Sequence, residues 1–350
     1  MSNNNPINSS SQRPPSLQGN YPPPYKGGAG NGSSPLPHGR GRGWVFFLFL
    51  LPLLLLATAT ELYVRSLPNS YRIKRQMMER MEDSVETIIL GNSHAYSGIR
   101  PELLPGCAVN LANVSQTLDV DLLLLEHYAP RCPRLRHILL TLDNSNLFDL
   151  PMQQTDEWFR CGYYRRYMHL GPYYRPRYWL ELFHFQSARG KMEKWLQQRH
   201  PDCTPLGWDT DNSLDQRNQE EWNTTQVERV LNRHTCSVWE QAFENQRILL
   251  RIADYCRDHR LQLTLIAPPV YPAYSQGIPP RQRDFIDQSR RLCIERTRAR
   301  LLDFELDSAY LDDDFFDPDH LTHEGAAKFT LQLADSLSTS DSLAASDNNS

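Results

Sequence analysis

From about Glu82 onward, short apolar runs alternate with longer amphipathic stretches, and that alternation predicts most of the elements. Thr87-Ile-Ile-Leu90 stops at the polar turn Gly91-Asn92-Ser93-His94, the pattern of a buried strand feeding a loop. Ala108 to Leu111 predicts a second strand, and a leucine-rich helix follows from about Leu118 to Tyr128. His137 to Leu142 predicts a third strand, closing on Asp143-Asn144-Ser145-Asn146. Further along, helices are expected over Glu240 to Arg260 and Arg281 to Arg298, each followed by a strand, Leu261 to Ala267 and Arg300 to Phe304. Strands and helices in this alternation predict an α/β fold, a parallel sheet covered on both faces. Ligands of such sheets bind outside the carboxyl ends of the strands.

The run before this region has a different pattern. Trp44 to Thr60 carries no charge, and Leu62, Tyr63 and Val64 extend it past Glu61. The 21 residues from Trp44 to Val64, at about 1.5 Å each, cover a hydrocarbon core of about 30 Å. One membrane-spanning helix is therefore expected, loosened at Pro52. A secretory signal peptide is the rival, but 43 residues precede the apolar run and no small-x-small cleavage site stands out. Those 43 residues hold eight Pro and eight Gly among Asn, Ser and Gln, too little apolar surface to order a chain. The positive-inside comparison is balanced, since Arg65, Arg72, Lys74 and Arg75 compete with Arg40 and Arg42.

The organisation expected is a disordered tail over 1–43, an anchor over 44–64, a linker over 65–85, the α/β domain over 86–337 and a frayed end over 338–350. An insertion at 147–236 interrupts the domain and is dense in aromatics and arginine, as in Tyr163-Tyr164-Arg165-Arg166-Tyr167 and Arg177-Tyr178-Trp179. One reading is a lid or substrate platform in which Arg165, Tyr174 and Trp179 stack on sugar faces and hold anionic groups. The other is a helical cap that buries its rings and leaves its arginines in solvent or at a membrane surface.

Composition narrows the function classes. With 37 basic against 41 acidic side chains the net charge is −4, which gives no general attraction for nucleic acid. The tail holds four of the basic groups and no acid, so the rest of the chain carries a balance of −8. Seven cysteines are scattered singly, without CxxC pairs, so no zinc module is expected and one or two disulfides remain open.

Two clusters suggest chemistry. Ser93 closes the first strand, where a hydroxyl is presented at the sheet edge, although serine in such a turn also serves as a helix N-cap. Far away, after the fifth strand, the chain reads Asp317-Pro-Asp-His320-Leu-Thr-His323-Glu-Gly325. The Asp-x-x-His spacing lets a carboxylate fold back on the imidazole and fix its tautomer, leaving the other ring nitrogen for a hydroxyl. Competing readings are a solvated acidic turn over Asp312 to Asp319, without an EF-hand layout, and a metal held by His320 and His323. His94 is expected to cap the helix rather than line a pocket, and Glu324 and Gly325 to open the last helix.

Ser93 and Asp317/His320, in this chain order, resemble the SGNH or GDSL-like hydrolase superfamily over about Glu86 to Leu337, the insertion excluded. The resemblance implies a flavodoxin-like strand order, with Ser93 as nucleophile, His320 as general base and then acid, and Asp317 as the orienting carboxylate. It also implies an oxyanion hole built from the serine's own amide, a residue after the second strand and an asparagine after the third. Here Asn113 stands near the expected glycine, and it tolerates the left-handed backbone that glycine permits. Asn144 or Asn146 would serve from the third loop.

Gly91-Asn92-Ser93-His94 is more similar to membrane-anchored SGNH proteins of bacterial envelopes, the class containing alginate acetylation proteins and the D-alanine transfer protein of teichoic acids. That likeness implies an extracytoplasmic, single-pass esterase or O-acyltransferase working through an acyl-serine on an acylated or acetylated envelope carbohydrate. No metal or other cofactor is expected. The alternative is an inactive SGNH-like scaffold or glycan-binding partner of a membrane acyltransferase.

Overall fold

The computed structural model describes residues 41–198 and 200–347. Most of the tail expected over 1–43, and the last three residues, lie outside the described residues. The chain divides at Leu55/Leu56 into two units. Helix α1 is Gly41–Ser66 with Pro52 inside it. Its stretch Phe47–Ser66 is long and apolar enough to cross a membrane, with a mean hydropathy of 2.0. Only 11% of that stretch is buried, so its leucines do not serve as a core.

In the second unit the elements run α2 (Ser70–Met81), β1 (Thr87–Leu90), α3 (Ser93–Gly98), β2 (Ala108–Asn110), α4 (Leu118–Tyr128) and β3 (His137–Thr141). The insertion then supplies α5 (Phe159–Tyr163), α6 (Phe185–Gln198) and α7 (Thr225–His234). The domain resumes with α8 (Trp239–Asp258), β4 (Gln262–Ala267), α9 (Pro272–Gly277), α10 (Pro280–Thr297), β5 (Arg300–Asp303) and α11 (His323–Asp347). Helix α11 continues through the Ser- and Asp-rich stretch that the sequence pattern leaves as a frayed end.

All five strands pair in parallel in the order β2-β1-β3-β4-β5, the doubly wound order of flavodoxin-like sheets. In register, Ile89 sits opposite Asn110 on one side and Leu139 on the other. Successive side chains on a strand point to opposite faces, and the two cores follow that rule. Ile88, Leu90, Ile138 and Leu140 join the core built with α4, α8 and α10. Ile89, Leu139 and Ile266 face the other way, toward α3 and Phe329 and Leu333 of α11. Burial on both faces explains why the inner strands β1, β3 and β4 read as nearly unbroken apolar runs.

Two glycines fix the approach to the sheet's carboxyl edge. Gly91 has φ 131°, and a Cβ there would collide with Thr141 Oγ1 at the end of β3. Gly325 lies against the Asp314 backbone, where a side chain would not fit, and its N–H donates to Thr322 Oγ1 (3.1 Å). This is a hydroxyl cap on α11. All seven cysteines are free thiols, so the disulfides left open by composition are not formed.

Candidate active site

The β1–α3 turn places Ser93 at the first position of α3, because Asn92 caps that helix by accepting from the His94 N–H (3.0 Å). His320 arrives from the loop after β5, and its Nε2 lies 2.8 Å from Ser93 Oγ. Its Nδ1 faces both oxygens of Asp317, at 2.9 and 3.0 Å. Asp317 Oδ1 also accepts the N–H groups of Asp319 and His320 (3.0 and 2.9 Å), so the loop is wound around this carboxylate. Ser93, His320 and Asp317 thus form one connected row, although 227 residues separate the hydroxyl from the imidazole.

Behind this row lies a second charged network. His94 is buried, with Nδ1 2.6 Å from Asp143 Oδ2 and Nε2 3.0 Å from Asp319 Oδ2. Both ring nitrogens therefore donate to carboxylates, which only the imidazolium can do. Burial works against that charge, but Asp143 and Asp319 outweigh it and raise the His94 pKa to about 9. Burial would likewise raise Asp143, yet the His94 imidazolium and the Ser145 N–H and hydroxyl hold it far below the usual carboxylate range. The expectation that His94 caps the helix is corrected here. Asn92 performs that job and His94 joins loops that close three different strands.

Asp319 connects the two networks. Its Oδ1 lies 3.3 Å from His320 Nδ1, alongside Asp317. Burial lowers the His320 pKa, but the two carboxylates overcome it and hold the imidazole well above its ordinary value. The pKa of His234, 3.7 Å from Asp319 Oδ2, is instead depressed by burial to about 4. His94, Asp319 and His320 bring ligand-type atoms within 4.8 Å of one another. Each of these ring nitrogens already faces a carboxylate or the serine hydroxyl, so the cluster is built to hold protons. His323 turns away from His320 and packs its ring on Trp208 at 5.0 Å.

No family model and no curated protein matches the chain. Among solved structures, one provisionally described as a platelet activating factor from Streptococcus pneumonia is similar at 12% identity and a TM-score of 0.34. The match covers 83% of this chain and 98% of that one. A likeness so remote says nothing of what the side chains do.

Ser93, His320 and Asp317 open into a cleft of about 660 Å³. Its walls include Ser115, Ser145, Asp149, Asp209, Arg233 and His234, so the insertion does border the site. The residues expected to do so are elsewhere. Arg165, Tyr174 and Trp179 line a separate hollow that shares no lining residue with the cleft. The rings around them, Tyr163, Tyr164, Tyr167, Tyr173 and Tyr178, turn inward and join the core. The strong apolar drive of those rings sets the direction of the whole segment.

Side chains of all three asparagines make contacts of their own, although the donor Nδ2 of Asn113 is left without a partner. Asn113 Oδ1 accepts from Ser70 Oγ (2.9 Å), and the residue borders a neighbouring cavity instead of the cleft. Ser115 (φ 57°) is the residue of that loop in the left-handed conformation, and it lines the cleft. Asn144 donates to Tyr274 Oη (3.3 Å) and accepts from Gln282 Nε2 (2.9 Å). Asn146 Nδ2 donates to the Thr141 carbonyl (2.6 Å). From the third loop the cleft receives Ser145, whose hydroxyl accepts from Asn92 Nδ2 (2.5 Å).

Proposed function

We propose that this chain is an SGNH-type serine esterase or O-acyltransferase, anchored by α1 and acting on an acylated or acetylated carbohydrate of a cell envelope. The observation that carries the proposal is the row Ser93 Oγ, His320 Nε2, His320 Nδ1, Asp317, with 2.8 Å and 2.9 Å between partners, at the carboxyl edge of a parallel sheet. An imidazole so placed takes the serine proton as the hydroxyl attacks an ester carbonyl, then returns it to the leaving alkoxide. Asp317 holds the imidazole with its proton on Nδ1. Ser93 is the first residue of α3, so its N–H has no partner within the helix, which supports a role for it as a donor to the developing oxyanion.

Hydrolase and transferase share this first half-reaction and differ in whether water or a sugar hydroxyl accepts the acyl group. The hydroxyl and carboxylate side chains that line the cleft, among them Ser97, Ser115, Thr117 and Asp149, suit the hydroxyls of a carbohydrate. The length and apolar character of Phe47–Ser66 support anchoring, and the likeness of Gly91-Asn92-Ser93-His94 to envelope proteins is what puts the site on the extracytoplasmic side in this proposal. The direct Ser93–His320 contact favours this reading over an inactive scaffold, which has no use for a hydroxyl held on a histidine. Reaction of the intact protein with a fluorophosphonate probe tests it. The label should map to Ser93 and disappear in Ser93→Ala and His320→Ala, whereas an unlabelled but folded wild type overturns the proposal.

A further inference from the structure

The hollow that holds Arg165, Tyr174 and Trp179 lies next to the last turns of α1, and we infer that this face of the insertion sits in the headgroup layer of a phospholipid membrane. The inference rests on the reading of α1 as an anchor. Glu61 of α1 accepts the N–H groups of Glu181 and Leu182 (2.9 and 3.1 Å), and Arg65, one turn on, pairs with Glu61 and donates to the Trp179 carbonyl. These bonds fix residues 179–182 of the insertion to the end of the helix.

Around that attachment the surface is unusually apolar. Tyr174 is 70% exposed, Trp179 50%, Phe183 53% and Phe185 62%. Leu62 and Tyr63 of α1, next in sequence to Glu61, are exposed as well. A patch of large rings in water marks an interaction surface. Tryptophan and tyrosine are the side chains that settle between hydrocarbon and water.

Charge points to the same occupant. The Arg165 guanidinium lies 5.4 Å from the centre of the Tyr174 ring and, among the described residues, pairs with no carboxylate. It borders a wide hollow of about 500 Å³ with Tyr174 and Trp179. A planar cation beside aromatic rings suits the phosphate of a lipid headgroup.

The test uses the full chain reconstituted in phosphatidylcholine/phosphatidylglycerol vesicles, with acyl chains brominated either just below the headgroup or near the chain end. Trp179→Phe should remove a quenchable part of the tryptophan fluorescence with the shallow bromines and little with the deep ones. Trp44→Phe, within the apolar run of the sequence, reports on the anchor independently. Arg165→Gln should weaken the shallow quenching when phosphatidylglycerol is present, with folding checked by near-ultraviolet circular dichroism. Quenching lost in Trp44→Phe but unchanged in Trp179→Phe overturns the inference and leaves the anchor standing. If neither substitution changes the quenching, both readings fall.

Discussion

His94 and His320 share one carboxylate: Asp319 Oδ2 lies 3.0 Å from His94 Nε2 and Asp319 Oδ1 lies 3.3 Å from His320 Nδ1. The imidazole that faces Ser93 is therefore set between Asp317 and an acid that is itself neutralised by a buried cation. Removing a member of this chain changes charge balance as well as geometry, and the predicted effects follow from that.

Replacing His94 by Gln leaves Asp143 buried without its counter-ion and Asp319 with His320 alone. Breaking one side of a buried pair costs about 3–5 kcal/mol, so denaturant unfolding should show a loss of that order. The removed charge also disfavoured a proton on His320, so the pH at which activity is half-maximal should move upward. Unchanged stability with an unchanged pH profile would contradict the shared-carboxylate arrangement.

Asp317→Asn should be less damaging than loss of a sole orienting carboxylate, which in a serine triad costs roughly 10⁴-fold in kcat. Asp319 Oδ1 already faces the same nitrogen and can favour the same tautomer. We expect a residual rate roughly ten- to a hundredfold above that benchmark, with Asp317→Asn/Asp319→Asn falling to the Ser93→Ala level. Steady-state kinetics on a chromogenic acetyl ester distinguishes the cases.

The pH dependence has two opposite limbs. His320 must be neutral to accept the serine proton, and its pKa is raised above the ordinary value of 6.5. Activity should therefore be lost as pH falls through that raised pKa, with the midpoint above 6.5 in kcat/KM. Stability moves the other way. His94 has a folded pKa of about 9 against 6.5 in the unfolded chain, so the folded state binds more protons between those values. Its contribution is complete below pH 6.5 and is lost as pH rises through about 9. Unfolding midpoints in urea measured across this window should decline.

Gly91→Ala should unsettle the nucleophile without touching it. A methyl group there meets Thr141 Oγ1, and φ 131° is strained for any residue with a Cβ. Such a clash typically destabilises by more than about 1 kcal/mol, and the turn that presents Ser93 must shift to relieve it. Lower melting temperature together with slower probe labelling is expected. Labelling at the wild-type rate would mean that Ser93 does not depend on this close approach.

The centre of the sheet was legible in the sequence because its inner strands are buried on both faces, and continuous apolar runs such as Thr87 to Leu90 and His137 to Thr141 admit few other readings. Ser93 and His320 were legible because both stand in loops at one edge of that sheet. The surroundings of the asparagines were not, since the direction of Asn113 is set with Ser70, 43 residues away, and that of Asn144 with Tyr274 and Gln282. His94 was missed for the same reason. Its partners lie 49 and 225 positions along the chain, and no local spacing announces them. In the insertion, the count of rings was visible but not which side of each segment faced the core.

The acyl-serine intermediate is the claim on which the functional account rests. Rapid-quench mass spectrometry of the full chain mixed with an activated acetyl ester, followed by peptide mapping, reads it directly. The account predicts one acetyl group on the peptide containing Ser93, formed within the first turnover and absent in Ser93→Ala and His320→Ala. Turnover of the ester with no acetyl on that peptide, or an equal acetyl signal in Ser93→Ala, would contradict it.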